Sequence, residues 1–335
     1  MNNVFKILLL VLLFFSCKSK KESAEFFKRG NYHFKINEPE KAIYFFNEAI
    51  NKYPEYADAY NNRGLVYLKI NKSQKAIDDF ENAIKIDSKF FEAKFNLAKI
   101  YSEIGKTKEA DKLYEEIKSN YLKSSDFYNF YGQNLVRINQ INKSLYSLNK
   151  SLQLNPKNIE AITNMGYVYY LQNKNEKAKI QFEKALKINP KFPFALNNLA
   201  VLLGKNRDFN KAIKLIEDSE LILDIVVCNN LTLFYLEKQD LEKAKIYLDK
   251  AQKIDEKNAY TKRNTAIFIL NSLKPKEAKD LFESLEKTNP EVDYLYYFLG
   301  KTFQKLHDFE NACKNFKIGE QLNDNWSKLE IGKCK

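Results

Sequence analysis

The sequence is short of the residues that punctuate a β-rich or metal-bound fold. Its 335 residues include 9 glycines, 7 prolines, 4 cysteines, 2 histidines and a single tryptophan. So few turn formers exclude a many-stranded sandwich or barrel, which needs a turn signal about every ten residues. The histidines, His33 and His307, are far apart, and Cys228, Cys313 and Cys334 show no ligand spacing, so no metal centre is expected. There is no GxGxxG, Walker loop, HExxH or GxSxG, so neither a cofactor nor an enzymatic site is expected. Cys313 and Cys334 read either as a pair made in an oxidising compartment or as two unpaired thiols; we adopt the second.

What is abundant is charge and aromatic surface. Aromatics reach 14% and the formal net charge is +12. Such a balance suits an anionic partner, whether membrane surface, acidic polymer or nucleic acid, or simply a lysine-rich solvated surface. The basic residues are interspersed with acids, and no basic run alternates with base-stacking aromatics, so nucleic acid is not an expected partner. The acids themselves fit exposed i, i+4 pairs on helices.

The N-terminus reads as an address. Asn2 to Lys6 carries one cation, and Ile7 to Phe15 is an unbroken apolar run, too short to span a bilayer but right for a signal core. It ends at Ser16-Cys17, followed by Lys18-Ser19-Lys20-Lys21. A small residue directly before such a cysteine resembles a bacterial lipoprotein signal. The resemblance implies a signal peptide over 1–16, lipidation of Cys17 and a tether over 17–22. Several acyl chains on one residue anchor firmly, since each buried methylene contributes ~0.8 kcal/mol. A plain secretory signal or an uncleaved anchor is the alternative. The implied location is the bacterial cell envelope, lipid-anchored, with the basic residues after Cys17 favouring the periplasmic face of the outer membrane.

Behind this lies a repeat. Small residues recur at Gly30, Gly64, Ala98, Gly132, Gly166 and Ala200, each 34 residues after the last, then at Thr232, Ala266 and Gly300. A second ladder follows twelve residues behind, at Ala42, Ala76, Ala110, Ser144, Ala178, Ala212, Ala244, Ala278 and Ala312. Both slip by two residues between Ala212 and Thr232, which marks an irregular junction. Four residues past each second-ladder position stands a large apolar group, among them Phe46, Phe80, Tyr114, Leu148, Phe182, Phe282 and Phe316. That spacing marks one helical face, and the small residues let two antiparallel helices approach closely. Pro39 and Pro275 fall at the first turn of a helix, and Pro54, Pro156, Pro190 and Pro290 just past the end of one. Asn37, Asn71, Gly105, Asn139 and Asn173 occupy the turn inside each hairpin, where a left-handed residue ends the first helix.

A 34-residue helical hairpin with these small and aromatic positions resembles the tetratricopeptide repeat. The resemblance covers about 23–326 and implies an all-α, right-handed superhelical solenoid of nine hairpins. We expect six hairpins over 23–224, three over 225–326, and a cap over 327–335 in which Leu329 and Ile331 cover the last hairpin. It also implies that first helices line a concave face. Asn62, Asn96, Asn164, Asn198, Asn230 and Asn264 share one position of that face. A row of side-chain amides suits the backbone of an extended peptide, or else bonds within its own hairpin. Tyr167, Tyr170, Phe194, Tyr260, Tyr294 and Tyr297 are expected to make the second half of the groove aromatic, although about half of them would suit packing between hairpins. Phe27 stands where some relatives place a lysine of a carboxylate clamp, so no such clamp is expected. The function implied is a membrane-anchored scaffold or adaptor for a protein or peptide partner in envelope assembly or secretion. A glycan-binding outer-membrane lipoprotein and a passive spacer are the alternatives; the glycan binders of this kind carry long insertions between helices that this chain lacks.

Overall fold

A computed structural model describes residues 2–219 and 223–334, with side chains from Ser19 onward. Among the described residues there is no strand. The first hairpins pair α1 (Asn2–Lys35) with α2 (Pro39–Lys52), α3 (Ala57–Lys69) with α4 (Ser73–Ile86), and α5 (Phe91–Glu103) with α6 (Thr107–Ile117). Then α7 (Ser125–Arg137) pairs with α8 (Ile141–Leu154), α9 (Ile159–Leu171) with α10 (Asn175–Ile188), and α11 (Pro193–Lys205) with α12 (Phe209–Glu217). The last are α13 (Ile225–Glu237) with α14 (Leu241–Asp255), α15 (Ala259–Asn271) with α16 (Pro275–Thr288), and α17 (Leu295–Lys305) with α18 (Phe309–Gln321). A short helix, α19 (Asn325–Ile331), follows.

The ladders are the reason these helices pair. Ala42, Phe46 and Ala49 are fully buried, as are Ala178, Phe182 and Ala185. A Cβ added at Gly30 would lie 2.6 Å from the Phe46 ring, and one at Gly166 would lie 2.6 Å from Phe182. The glycines therefore set the closest approach within their hairpins. In the fourth hairpin Ser144 replaces the ladder alanine, and two buried hydroxyls donate across the interface: Ser144 to Gly132 O at 2.8 Å and Ser147 to Tyr128 O at 2.7 Å. Asn37, Asn71, Gly105, Asn139 and Asn173 all have positive φ, as the turn chemistry requires. Arg207, Gln239, Leu273 and His307 adopt the same conformation in the later hairpins.

The chain divides into two compact units, Met1–Asn164 and Met165–Lys335, with the boundary inside α9 rather than at the irregular junction. That junction shows instead as a shortened α12 of 9 residues, and residues 220–222 lie outside the described residues. In the second unit one apolar cluster runs from Ala200 through Phe234 and Phe298 to Trp326.

Three expectations change. The segment expected as a tether, 17–22, belongs to α1, and from Ser19 onward it docks on α2: Ser19 and Ser23 donate to Lys52 O and Ala49 O, and Glu22 pairs with Lys52 at 2.9 Å. The Cys17 side chain lies outside the described residues, as do the side chains of the signal core. Among the described residues no helix is long and apolar enough to cross a membrane. At the segment expected to cap the array, Leu329 is 63% exposed while Trp326, outside the expected 327–335, is 1% exposed, with Ile331 half-buried beside the same cluster. Finally, Cys313 and Cys334 form a disulfide, with Cα atoms 5.6 Å apart, because α19 turns back along α18; the reading of two unpaired thiols is corrected.

Candidate functional site

Five members of the asparagine row join hairpins to each other. Asn62 donates to Asn31 Oδ1 at 2.7 Å, Asn96 to Asn61 at 3.1 Å, and Asn164 to Asn129 at 2.8 Å. In the second unit Asn230 donates to Asn197 at 2.9 Å, and Asn264 to the Asn229 carbonyl at 2.8 Å. Each partner lies on the first helix of the preceding hairpin, so the bonds run between hairpins and not within one. An amide has two donor hydrogens and two acceptor lone pairs, so one or two such bonds (Asn62 Oδ1 also accepts from Asn61 Nδ2 at 3.1 Å) leave capacity for a ligand wherever the side chain reaches the surface. Asn62, Asn164, Asn198 and Asn230 are half-buried and keep that capacity.

Asn96 and Asn264 do not. Asn96 is 8% exposed and Asn264 fully buried. Asn264 Oδ1 accepts from Arg263 Nε at 3.2 Å and Nη2 at 2.9 Å, while Arg263 Nη1 reaches Asp293 O at 2.9 Å. This buried guanidinium uses Asn264 as its main acceptor, which makes Asn264 a structural residue.

The aromatic positions also separate. Phe194 is 68% exposed, and Tyr167 and Tyr260 are exposed too. Tyr167 stacks on half-buried Tyr170, with ring centroids 6.3 Å apart. Burial pushes the Tyr170 hydroxyl well above its ordinary value, with nearby Asp293 adding to the effect. Tyr294 and Tyr297 are not open groove surface. Tyr294 stacks on Trp326 at 4.1 Å, and Tyr297 is buried, edge-on to the same indole at 5.4 Å. The Tyr297 hydroxyl accepts from Arg207 Nη2 at 2.7 Å, and burial raises its pKa to about 12. Both tyrosines are corrected to packing residues, covered by a helix that folds back on them.

Lys205, Arg207, Glu237, Arg263 and Trp326 were missed by the sequence reading. Lys205 donates to Asn173 Oδ1 at 2.7 Å and lies 4.7 Å over the Tyr170 ring. Glu237 is half-buried, and desolvation raises its pKa although Arg207, Lys301 and Arg263 oppose the shift. The lone tryptophan was the available signal. His33 is structural: its Nδ1 lies 2.6 Å from Glu38 and its ring stacks on Phe45 at 5.1 Å. His307 sits exposed in a turn with positive φ. Among the described residues no group of acids, histidines and cysteines is arranged to hold a metal ion.

Tetratricopeptide-repeat profiles match residues 26–56, 57–90, 92–124, 159–192, 182–214 and 225–258, together over half the chain. The chain is a tetratricopeptide repeat protein. The profiles pass over 125–158, the serine-laddered hairpin, and the segment after 258, where the structure nonetheless continues the array. The chain is 25% identical over 189 residues to anaphase-promoting complex subunit 3 of Schizosaccharomyces pombe, covering 54% of this chain and 28% of that protein. It is likewise 25% identical over 191 residues to human protein O-mannosyl-transferase TMTC3, covering 55% of this chain and 21% of that protein. The array thus spans less than a third of either curated relative. Among solved structures, the Cut9–Hcn1 hetero-tetramer of the anaphase-promoting complex matches with a TM-score of 0.62 at 11% identity, over 93% of this chain and 76% of that one. Pseudomonas aeruginosa pilF matches with a TM-score of 0.50 at 22% identity, over 64% and 98%. These likenesses establish the repeat fold.

Proposed function

We propose that the array is a membrane-tethered scaffold that holds an extended segment of a protein partner along its first helices, in cell-envelope assembly or secretion. The observation that carries this reading is the combination, within the second unit, of half-buried amides at Asn198 and Asn230 with exposed rings at Tyr167, Phe194 and Tyr260. Amides bond peptide backbone whatever its sequence, and exposed aromatics add apolar area with a polar rim. The first helices place these groups on repeated, rigid positions, which lowers the ordering cost of binding. That two of the similar proteins are named as parts of a multi-subunit complex supports a role in assembly.

Two experiments test the two halves. Peptide-array binding of the full chain is compared with the Asn198→Ala/Asn230→Ala variant; undiminished binding by the variant removes the amides from the site. Metabolic labelling with a fatty acid tests the tether: Cys17→Ala abolishes incorporation if Cys17 is acylated, and unchanged labelling refutes it.

A further inference from the structure

The helix α19 has only seven residues, too few to stay helical alone. It is fastened at both ends. At its start Asp324 accepts from Trp326 N at 2.9 Å and from Ser327 Oγ at 2.6 Å, and Ser327 sits against Gly319 of α18, where a Cβ would lie 2.2 Å from Ser327 Oγ. At its end, Cys334 is bonded to Cys313. Glu330 adds ion pairs to Lys301 at 3.7 Å and Lys333 at 3.1 Å.

Between the fastenings, Trp326 contacts a hairpin far back in the chain. Its Nε1 donates to Lys205 O, 121 residues earlier, at 3.1 Å. The indole stands edge-on to Phe209 at 5.7 Å, is stacked on Tyr294, and lies under the Arg207 guanidinium at 4.9 Å. The chain's own C-terminal residues therefore fill aromatic first-helix surface of the second unit. The fastening is reachable: Cys313 and Cys334 line an open groove of about 870 Å³ together with Lys314, Lys317 and Lys333. Lysines beside a disulfide favour the departing thiolate.

We propose that α19 is a plug held in the groove of hairpins six to nine by the Cys313–Cys334 bond, and that an external dithiol, by reducing it, yields the seat of Trp326 to an aromatic side chain of an extended peptide. The chemistry is thiol–disulfide exchange. One thiolate of the dithiol attacks a sulfur of the pair and the S–S bond breaks. The second thiolate then resolves the mixed disulfide. The dithiol ends as a disulfide, and its two protons end on Cys313 and Cys334. The second step of this proposal, capture of a peptide, rests on the groove reading above; the first does not. Closing a loop of this length shifts an open–closed equilibrium by about 100-fold, so reduction raises the open population by that factor while packing and the Glu330 ion pairs still favour closure.

The single tryptophan makes the test direct, because the full chain gives one indole N–H resonance. Hydrogen exchange of that proton is measured with and without a dithiol, and in Cys313→Ser/Cys334→Ser without one; unchanged far-UV ellipticity shows that the array stays folded. Protection falls about 100-fold on reduction and in the double variant. A labelled peptide of the chain's own residues 321–332 binds only the reduced or double-variant chain, and its version with Trp326→Ala does not. Protection that stays within a few-fold in every form overturns the plug. Loss of protection without capture of the peptide overturns the peptide seat alone, and with it the groove reading for these hairpins.

Discussion

Replacing Asn264 by alanine separates the structural amides from the binding ones. Asn264 is fully buried and accepts two hydrogen bonds from the Arg263 guanidinium while donating to Asn229. Its truncation leaves Arg263 with Asp293 O as its remaining acceptor and Tyr260 under the cation at 5.2 Å. Hydrogen bonds to a charged group are worth about 1.5–3 kcal/mol each, and a buried cation that loses an acceptor keeps its desolvation cost. Arg263 keeps part of its shell, so about 3 kcal/mol is expected for Asn264→Ala. Asn198→Ala, at a half-buried amide, is expected to cost under about 0.5 kcal/mol. The assay is urea unfolding followed by fluorescence of Trp326, which lies in the same unit as both residues. Equal losses for the two variants, or a loss under 1 kcal/mol for Asn264→Ala, would refute the division of the row into buried struts and surface amides.

Further perturbations follow from single side chains. The Tyr114 hydroxyl is buried with no hydrogen-bond partner, on a rung where other hairpins carry phenylalanine; Tyr114→Phe should stabilise the first unit by about 1 kcal/mol in thermal unfolding, and a loss of stability would show that the hydroxyl is satisfied. Leu273 is exposed with φ 64°, a conformation that costs a branched side chain about 1 kcal/mol. Leu273→Asn should recover much of that, as a rise in urea midpoint; a fall contradicts the strain. Glu237 has a folded-state pKa raised by burial, so its ionisation opposes folding as pH rises above the ordinary carboxylate range and is without effect below it. Glu237→Gln should therefore match the parent in acid and exceed it at pH 7; a variant weaker at pH 7 would show that attraction to Arg207, Lys301 and Arg263 wins.

Local rules made most of the fold legible. Gly30 and Phe46, or Gly166 and Phe182, announce helix contacts by spacing alone, and Asn37, Asn71, Asn139 and Asn173 sit at left-handed turns because their side chains tolerate that conformation. In the later hairpins the same turns hold Arg207, Gln239, Leu273 and His307, whose identities carry no such signal. The pairing of the asparagine row was present in the sequence and overlooked: Asn61, Asn129 and Asn229 each precede a row member by 35 residues, one more than the repeat. The burial of Tyr294 and Tyr297 was not legible. It depends on Trp326 meeting Lys205 and Phe209, a contact between residues over a hundred positions apart that no periodicity encodes. The disulfide was one of two readings of the cysteines, and the turn that returns α19 along α18, which the repeat spacing does not encode, decides between them.

Site-specific photo-cross-linking tests the scaffold reading most directly. A photoreactive residue is placed in the full chain at Phe194, exposed on the first helix α11, or at Ile180, exposed on the second helix α10. The account predicts that partner peptides are captured from position 194 and not from position 180. Capture from position 180 with none from position 194 would place binding on the second helices and contradict it.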